Sequence, residues 1–242
     1  MYKDITIAQY LGMMNRRIKF YHDLKDNGLI NRMTVISQGN RKIGKVLNVS
    51  TAAIITCGNC KECKKYCYDL KAVIQYAEKE TNNVLNARAY NTVLAKYYRT
   101  EYMNGIRMAL AKRKKNKYFR WHVSGDILDY DYFCEMVRIA KEFPDFVMWT
   151  YTKMYKIVNR YVSEFGRNAI PDNLHIMFSK WDGLPMDNPH GFPVFACKLK
   201  GGNVDTSDDW FAKTYKCPGN CDLCKDRKLG CIGGHNTYAD EH

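Results

Sequence analysis

Eight of the ten cysteines in this 242-residue chain stand in two short runs, and no other feature limits what the chain can become so tightly. Cys57, Cys60, Cys63 and Cys67 lie in CGNCKECKKYC, with C-x2-C-x2-C-x3-C spacing. Cys217, Cys221, Cys224 and Cys231 lie in CPGNCDLCKDRKLGC, with C-x3-C-x2-C-x6-C spacing. Thiolates crowded this closely converge on soft metal centres. The first spacing is that of bacterial ferredoxin ligands, which implies an iron–sulfur cluster of the 4Fe-4S kind. Zinc is the alternative, because four-thiolate zinc sites also use x2 spacings. In the second run only Cys221 and Cys224 form a zinc-ribbon knuckle, so a second iron–sulfur cluster and a structural zinc are both compatible with it. His235, just after the last cysteine, is a candidate substitute ligand or a surface histidine. Cys197 is a candidate extra ligand, and Cys134 reads as a buried apolar residue on a helix face.

The chain carries a formal charge of +13. If each group of four thiolates held a 2+ centre, about +9 would remain, and the surface would still be basic. Nucleic acid or another polyanion is therefore a candidate partner. The run Lys112-Arg113-Lys114-Lys115-Asn116-Lys117 is the densest positive patch; it reads equally as a solvated helix end. The N-terminal run lacks a basic region followed by an apolar stretch, and the longest apolar runs are far too short to span a bilayer. A reducing cytosol is expected, where clustered cysteines favour metal over disulfides.

Periodicity gives the outline. Residues 5–29 read as a helix, and 45–55 (KVLNVSTAAII) as a β-branched strand that leads into the first cysteine run. A long helical tract follows over 70–112, broken near Thr81–Asn83 or Asn104-Gly105. Strands are then expected at 118–124, 146–152, 174–179 and 192–197, with helices at 130–142 and 154–165. Such alternation predicts parallel β–α units, hence an α/β fold with a partial (β/α) barrel or an open parallel sheet. Three parts are expected: an N-terminal helical segment (1–44), a β/α core with the first cysteine group (45–200) and a Cys-rich, metal-bound C-terminal segment (201–242). That last segment, behind a polar linker at 201–209, is too short to bury a core of its own.

Strand ends carry the remaining candidates, because ligands of parallel α/β folds bind at the C-terminal edge of the sheet. In RWHVSGD, alternation places Arg120, His122 and Ser124 on one strand face. The strand closes in Ser124-Gly125-Asp126, where glycine admits a ligand and the carboxylate receives an ammonium or hydroxyl; a helix-capping turn is the plainer reading. Thr150-Tyr151-Thr152-Lys153 and Ser179-Lys180-Trp181-Asp182-Gly183 close two further strands. Ser124, Gly125, Asp126, His122 and Lys153 form the expected cofactor-binding set.

In order along residues 45–236, Thr56-Cys57, Cys63, Cys67-Tyr68, Ser124-Gly125-Asp126, Tyr151-Thr152-Lys153, Ser179, Asp182-Gly183, Cys217-Pro218, Cys221, Cys224 and His235 form a pattern that resembles the phage-borne gene product 88-like proteins. That resemblance implies a bacteriophage or mobile-element origin, and with it a host-cell cytosol. The layout also resembles the radical S-adenosylmethionine enzymes. It implies a partial barrel, a cluster on Cys57, Cys63 and Cys67, S-adenosylmethionine as a cofactor with its ammonium at Ser124-Gly125-Asp126, and an auxiliary centre near the C-terminus. The chain departs from that superfamily's C-x3-C-x2-C spacing, and a fourth ligand at Cys60 would leave no iron open. A metal-stabilised nucleic-acid-binding protein is the alternative function.

Overall fold

The computed structural model describes residues 6–40, 43–67, 69–70, 83–225 and 227–241. Tyr68 and residues 71–82, the first part of the expected long helix, lie outside them. The architecture is a curled, open seven-stranded sheet, a half-barrel, in the order β1-β2-β3-β4-β5-β7-β6 with every pairing parallel. Its strands are β1 Leu47–Asn48, β2 Tyr118–Arg120, β3 Val147–Thr152, β4 Leu174–Ser179, β5 Val194–Lys198, β6 Tyr215–Lys216 and β7 Thr237–Asp240. The main helices are α1 Ile7–Asp26, α2 Asn83–Tyr97, α3 Arg99–Ala111, α4 Tyr130–Glu142 and α5 Tyr155–Phe165.

Local chemistry sets the helix ends. Thr6 and Gln9 form a reciprocal capping box at the start of α1: the Gln9 N–H donates to Thr6 Oγ1 (3.2 Å), and the Thr6 N–H to Gln9 Oε1 (2.8 Å). Asp129 caps α4 through the Tyr132 N–H. Among the described residues the long helical tract breaks at Tyr98, between α2 and α3, and not at Asn104-Gly105; of the other expected break, Thr81–Asn83, Thr81 and Asn82 lie outside the described residues. Gly105 stays inside α3 because a Cβ there would lie 2.5 Å from Thr34 Oγ1; glycine lets the preceding segment pack against the helix.

A parallel sheet needs cover on both faces. On one face, Phe119, Met148, Leu174, Ile176 and Phe178 pack against α2–α5 in the main core. Burying a side chain of this size contributes about 1.5–3 kcal/mol. The opposite face presents Tyr118, Val147, Trp149, Tyr151, Met177 and Phe195. Its cover is the crossover from β6 to β7, which carries all four C-terminal cysteines. Cys224, Cys231 and Ile232 pack on Trp149 and Met177, and the Lys225 ammonium lies 5.2 Å from the Tyr118 ring centre. The Cys-rich segment thus adds two strands to the sheet and plugs its second face. The polar stretch after Gly201 also packs inward: Val204 is buried with Ala196 and Phe211, the latter from the short α6, Asp208–Ala212.

The expected strand at 45–55 is shorter than its β-branched composition suggests. Only Leu47–Asn48 pair as a strand. Beyond them Val49 and Thr51 still bond to the backbone of β2 and its continuation, the Val49 N–H donating to Arg120 O (3.3 Å) and the Thr51 N–H to Ser124 O (3.0 Å); the Ala52 N–H then donates to Thr92 Oγ1 (2.9 Å), and Ile54 takes φ +66° as the chain turns toward the cysteines. Asn91 pins this turn from α2. Its Oδ1 accepts the Val35 N–H (2.8 Å), and its Nδ2 donates to Val35 O (2.9 Å) and Ser50 O (3.0 Å). Replacing Asn91 by alanine strands three backbone groups, each worth about 1–3 kcal/mol when buried. Asn91→Ala should lose roughly 2–4 kcal/mol of stability in urea unfolding; a loss within experimental error would show that Asn91 does not hold the turn.

Candidate functional site: a thiol loop at the sheet rim

From β1 the chain runs through Thr51–Thr56 into the first cysteine run, whose residues Glu62–Tyr66 form a single 3-10 turn. Four strand ends hold this loop. At β1, Thr51 and Thr56 share a hydroxyl hydrogen bond (2.8 Å). Beyond β2, Ser124 Oγ lies 2.8 Å from Thr51 O and 2.7 Å from Asp69 Oδ2, and Asp69 is ion-paired with the buried Arg88 at 2.5 Å. Gly125 has φ +90°, and a Cβ on it would sit 2.0 Å from Thr51 Oγ1, so only glycine allows this approach. Asp126 is 1% exposed; its Oδ1 accepts the Ile127 N–H (2.8 Å) and its Oδ2 the Lys153 N–H just past β3 (2.9 Å). The Lys153 carbonyl in turn accepts from Asn59 Nδ2 in the thiol loop (2.8 Å). Gly58 packs on the Met154 thioether, and Tyr66 stacks on Trp181 beyond β4 at a centroid distance of 6.1 Å.

The electrostatics follow from burial. Cys57 is pushed up to about 12 because burial disfavours its thiolate, with Lys153 opposing. The Cys60 and Cys63 sulfurs are 3.8 Å apart. Cys63 is held down at about 6 by its hydrogen bond with Cys60, against burial and with help from Lys153, and Cys60 is raised as the partner that keeps the proton. Burial raises Cys67 as well. Burial also pulls the Lys153 ammonium down, but Asp126, Cys63, Cys57 and Cys60 outweigh that, and the net direction is up. Burial raises Asp126, again opposed by Lys153.

The second thiol group lies in the plug. Burial pushes Cys221 up to about 12 and raises Cys231. Tyr151 hydrogen-bonds Cys231, the Arg120 guanidinium sits 4.9 Å from the Tyr151 ring centre, and Tyr215 Oη lies 3.6 Å from Cys224 Sγ. All ten cysteines are free thiols. Among the described residues no three His, Cys, Asp or Glu side chains are gathered closely enough to make a finished metal site. The donor set nevertheless suits a thiolate-bound metal. The Trp149 indole N–H is buried with no acceptor among the described residues, in the same cluster as Cys224 and Cys231.

The structure brings Ser124, Gly125, Asp126 and Lys153 to the first thiol loop, and Arg120 and Tyr151 to the second group. It takes His122 elsewhere. His122 has φ +51°, which breaks the strand alternation after Arg120 and turns the ring to the helix side. There its Nε2 is 2.9 Å from Tyr132 Oη and its Nδ1 is 3.3 Å from Thr150 Oγ1, so the expected shared face of Arg120, His122 and Ser124 does not form. His235 is exposed, and it influences His175, whose pKa is lowered by burial first and by His235 second. Cys197 lies within β5 opposite Ala239, and Cys134 is half-buried on α4. The sequence reading missed Asn59, Asp69 and Arg88 as loop anchors, because no local pattern marks a polar residue that bonds to a distant turn.

The class defined here is a parallel β/α half-barrel with one thiol group at the C-terminal rim of its sheet and another in the cover of the face opposite the main helices. The sequence model of the family described as Gene product 88 matches residues 25–188, more than half of the chain, and the protein belongs to that family. The matched region takes in the first thiol loop and the ends of β2, β3 and β4, and it stops before β5. No curated protein and no solved structure matches the chain. No helix among the described residues is long and apolar enough to cross a membrane.

Burial, and secondarily Arg120, hold His122 down at about 3. Its ordinary value is about 6.5, so between these limits the unfolded chain binds a proton that the native state refuses. The sign is therefore fixed: stability present above about pH 6.5 falls as the pH drops toward 3, by up to about 1.4 kcal/mol per pH unit. His122→Gln should flatten this part of the acid-unfolding profile, measured by urea denaturation at stepped pH; an unchanged slope would show that His122 protonates freely in the folded protein.

Proposed function

We propose that the protein is an iron–sulfur protein of redox type. The first loop holds a 4Fe-4S cluster through Cys57, Cys63 and Cys67, with Cys60 beside them. Cys217, Cys221, Cys224 and Cys231 hold a second metal–thiolate centre, iron–sulfur or zinc, that fastens the plug. The observation that carries this reading is the position of four unpaired thiols at the C-terminal rim of a parallel sheet, where α/β folds place their chemistry. A cluster bound there supplies one-electron redox chemistry. The protein's own part is to fix the loop through Asn59, Ser124 and Asp126 and to set an ammonium beside it. Both Asp126 oxygens already hold backbone N–H groups of the chain. That favours an oxidoreductase over a radical enzyme that cleaves S-adenosylmethionine at this strand end. An anionic substrate suits the basic surface.

Zinc in the first loop is favoured by one distance. Two sulfurs on a tetrahedral zinc with Zn–S of about 2.3 Å stand about 3.8 Å apart, the separation found between Cys60 and Cys63. Anaerobic purification with iron, zinc and acid-labile sulfide analysis separates the readings. The iron–sulfur reading expects brown protein with about four iron and four sulfide per cluster, retained in Cys60→Ala. Colourless protein that contains zinc and no sulfide would replace it with a zinc-stapled fold.

A nucleic-acid-binding function is the second reading, favoured by the exposure of Lys112, Lys114 and Lys115. It expects single-stranded DNA or RNA affinity that falls steeply with salt, and a salt slope reduced by about one for each of these lysines replaced by alanine. A slope unaltered in the triple variant would dismiss that patch.

A further inference from the structure

The thiol loop brings two sulfurs within reach of one covalent bond. Cys60 Sγ and Cys63 Sγ stand 3.8 Å apart, and both residues are half-buried, so a small molecule in solution can reach them. They form a C-x2-C pair, the spacing of redox dithiols. Their segment is held from both sides. Upstream, Asn59 Nδ2 donates to the Lys153 carbonyl (2.8 Å), and the Cys60 N–H donates to Cys57 O (3.0 Å). Downstream, Cys63 lies in the 3-10 turn Glu62–Tyr66, whose last ring stacks on Trp181. Bonded sulfurs stand about 2.05 Å apart, so the two thiols have less than about 2 Å to close.

We propose that Cys60 and Cys63 form a reversible dithiol–disulfide couple whose oxidant is a low-molecular-weight disulfide. The thiolate of one cysteine attacks a sulfur of the oxidant, whose S–S bond breaks as the first small thiolate leaves. The other cysteine, deprotonated, then attacks its neighbour's sulfur. The mixed disulfide breaks, the Cys60–Cys63 bond forms, and the second small thiolate leaves. The two protein thiol protons end on the two released thiols; the dithiol has given up two electrons and the oxidant has taken them. Excess small thiol runs the same steps backwards. The couple needs no metal, so the inference goes beyond the metal–thiolate reading and does not rest on it. It gives Cys60, which the cluster reading leaves beside the ligands, a reacting partner in Cys63. While the bond is closed, neither sulfur is open to a metal.

The test treats the full-length protein, purified anaerobically and assayed for metal and sulfide, with oxidised glutathione. Free thiols are then blocked in acid and the linkages mapped by peptide mass spectrometry. Folded wild type should show a Cys60–Cys63 linkage before any other among the eight clustered cysteines, and excess reduced glutathione should remove it. Cys60→Ser and Cys63→Ser should each lose that linkage and stop at a glutathione mixed disulfide on the remaining cysteine of the pair. Circular dichroism checks that both variants are folded. Wild type unfolded in guanidinium is the control for spacing alone, because Cys57 and Cys60 are spaced like Cys60 and Cys63; its linkages should spread over neighbouring pairs. A different first linkage in the folded protein, or the same spread folded and unfolded, overturns the inference. Metal-loaded protein that forms no linkage also overturns it and leaves the metal reading standing. A Cys60–Cys63 linkage in protein that carries neither metal nor sulfide upholds the inference and overturns the metal reading.

Discussion

A sheet made only of parallel strands has two apolar faces, and both must be kept from water. Helices α2–α5 cover one face here. Among the described residues the other has no helix layer of comparable size; its cover is a cysteine-rich crossover from which Cys224, Cys231 and Ile232, with Cys221 and Leu229 beside them, pack in one cluster with Trp149 and Met177. The placement of the second thiol group follows from this requirement. The segment that supplies this cover carries four free thiols, two of them buried against the sheet. The cysteines of the plug are part of the fold before they are part of any chemistry.

The first thiol group answers a different demand. A loop at a strand rim is held only by what the neighbouring strand ends offer. Here the ends of β1–β4 each offer something specific: a threonine hydroxyl pair, the Ser124–Asp69 bond with its Arg88 ion pair, the Asp126–Lys153–Asn59 chain, and the Trp181 ring. Because these anchors come from residues as far apart in sequence as Tyr66 and Trp181, the loop is shaped by the assembled sheet. The two groups are linked through β3, where Tyr151 touches the plug and Lys153, two residues on, faces the rim.

Much of the fold was legible in the chain. The alternation from Tyr118 onward located β3, β4, α4 and α5 closely, since each has a long, regular apolar pattern. The strand expected at 45–55 is shorter than its β-branched pattern implies, because past Asn48 only Val49 and Thr51 keep bonds to Arg120, Val123 and Ser124, and from Ala52 on the backbone groups go to Thr92 and to local turns. β6 and β7 escaped notice because two to four residues between cysteines and glycines carry no periodicity. Among the candidate site residues, Ser124, Gly125, Asp126 and Lys153 lie next to the thiol loop. His122 does not, because alternation assumes extended backbone throughout and its φ of +51° breaks that assumption. Asp69 and Arg88 were unreadable, as a buried ion pair is a property of the folded interior.

The half-barrel is open, so its sheet has two free borders, and both are formed by strands of two residues, Leu47–Asn48 and Tyr215–Lys216. The first is further occupied by an antiparallel bridge from Ser37 to Asn48. Borders this brief give another chain almost no template for adding a strand. A sheet left unclosed to make room for a thiol loop and a plug therefore resists stacking edge to edge with its own copies, without the closure that full barrels use.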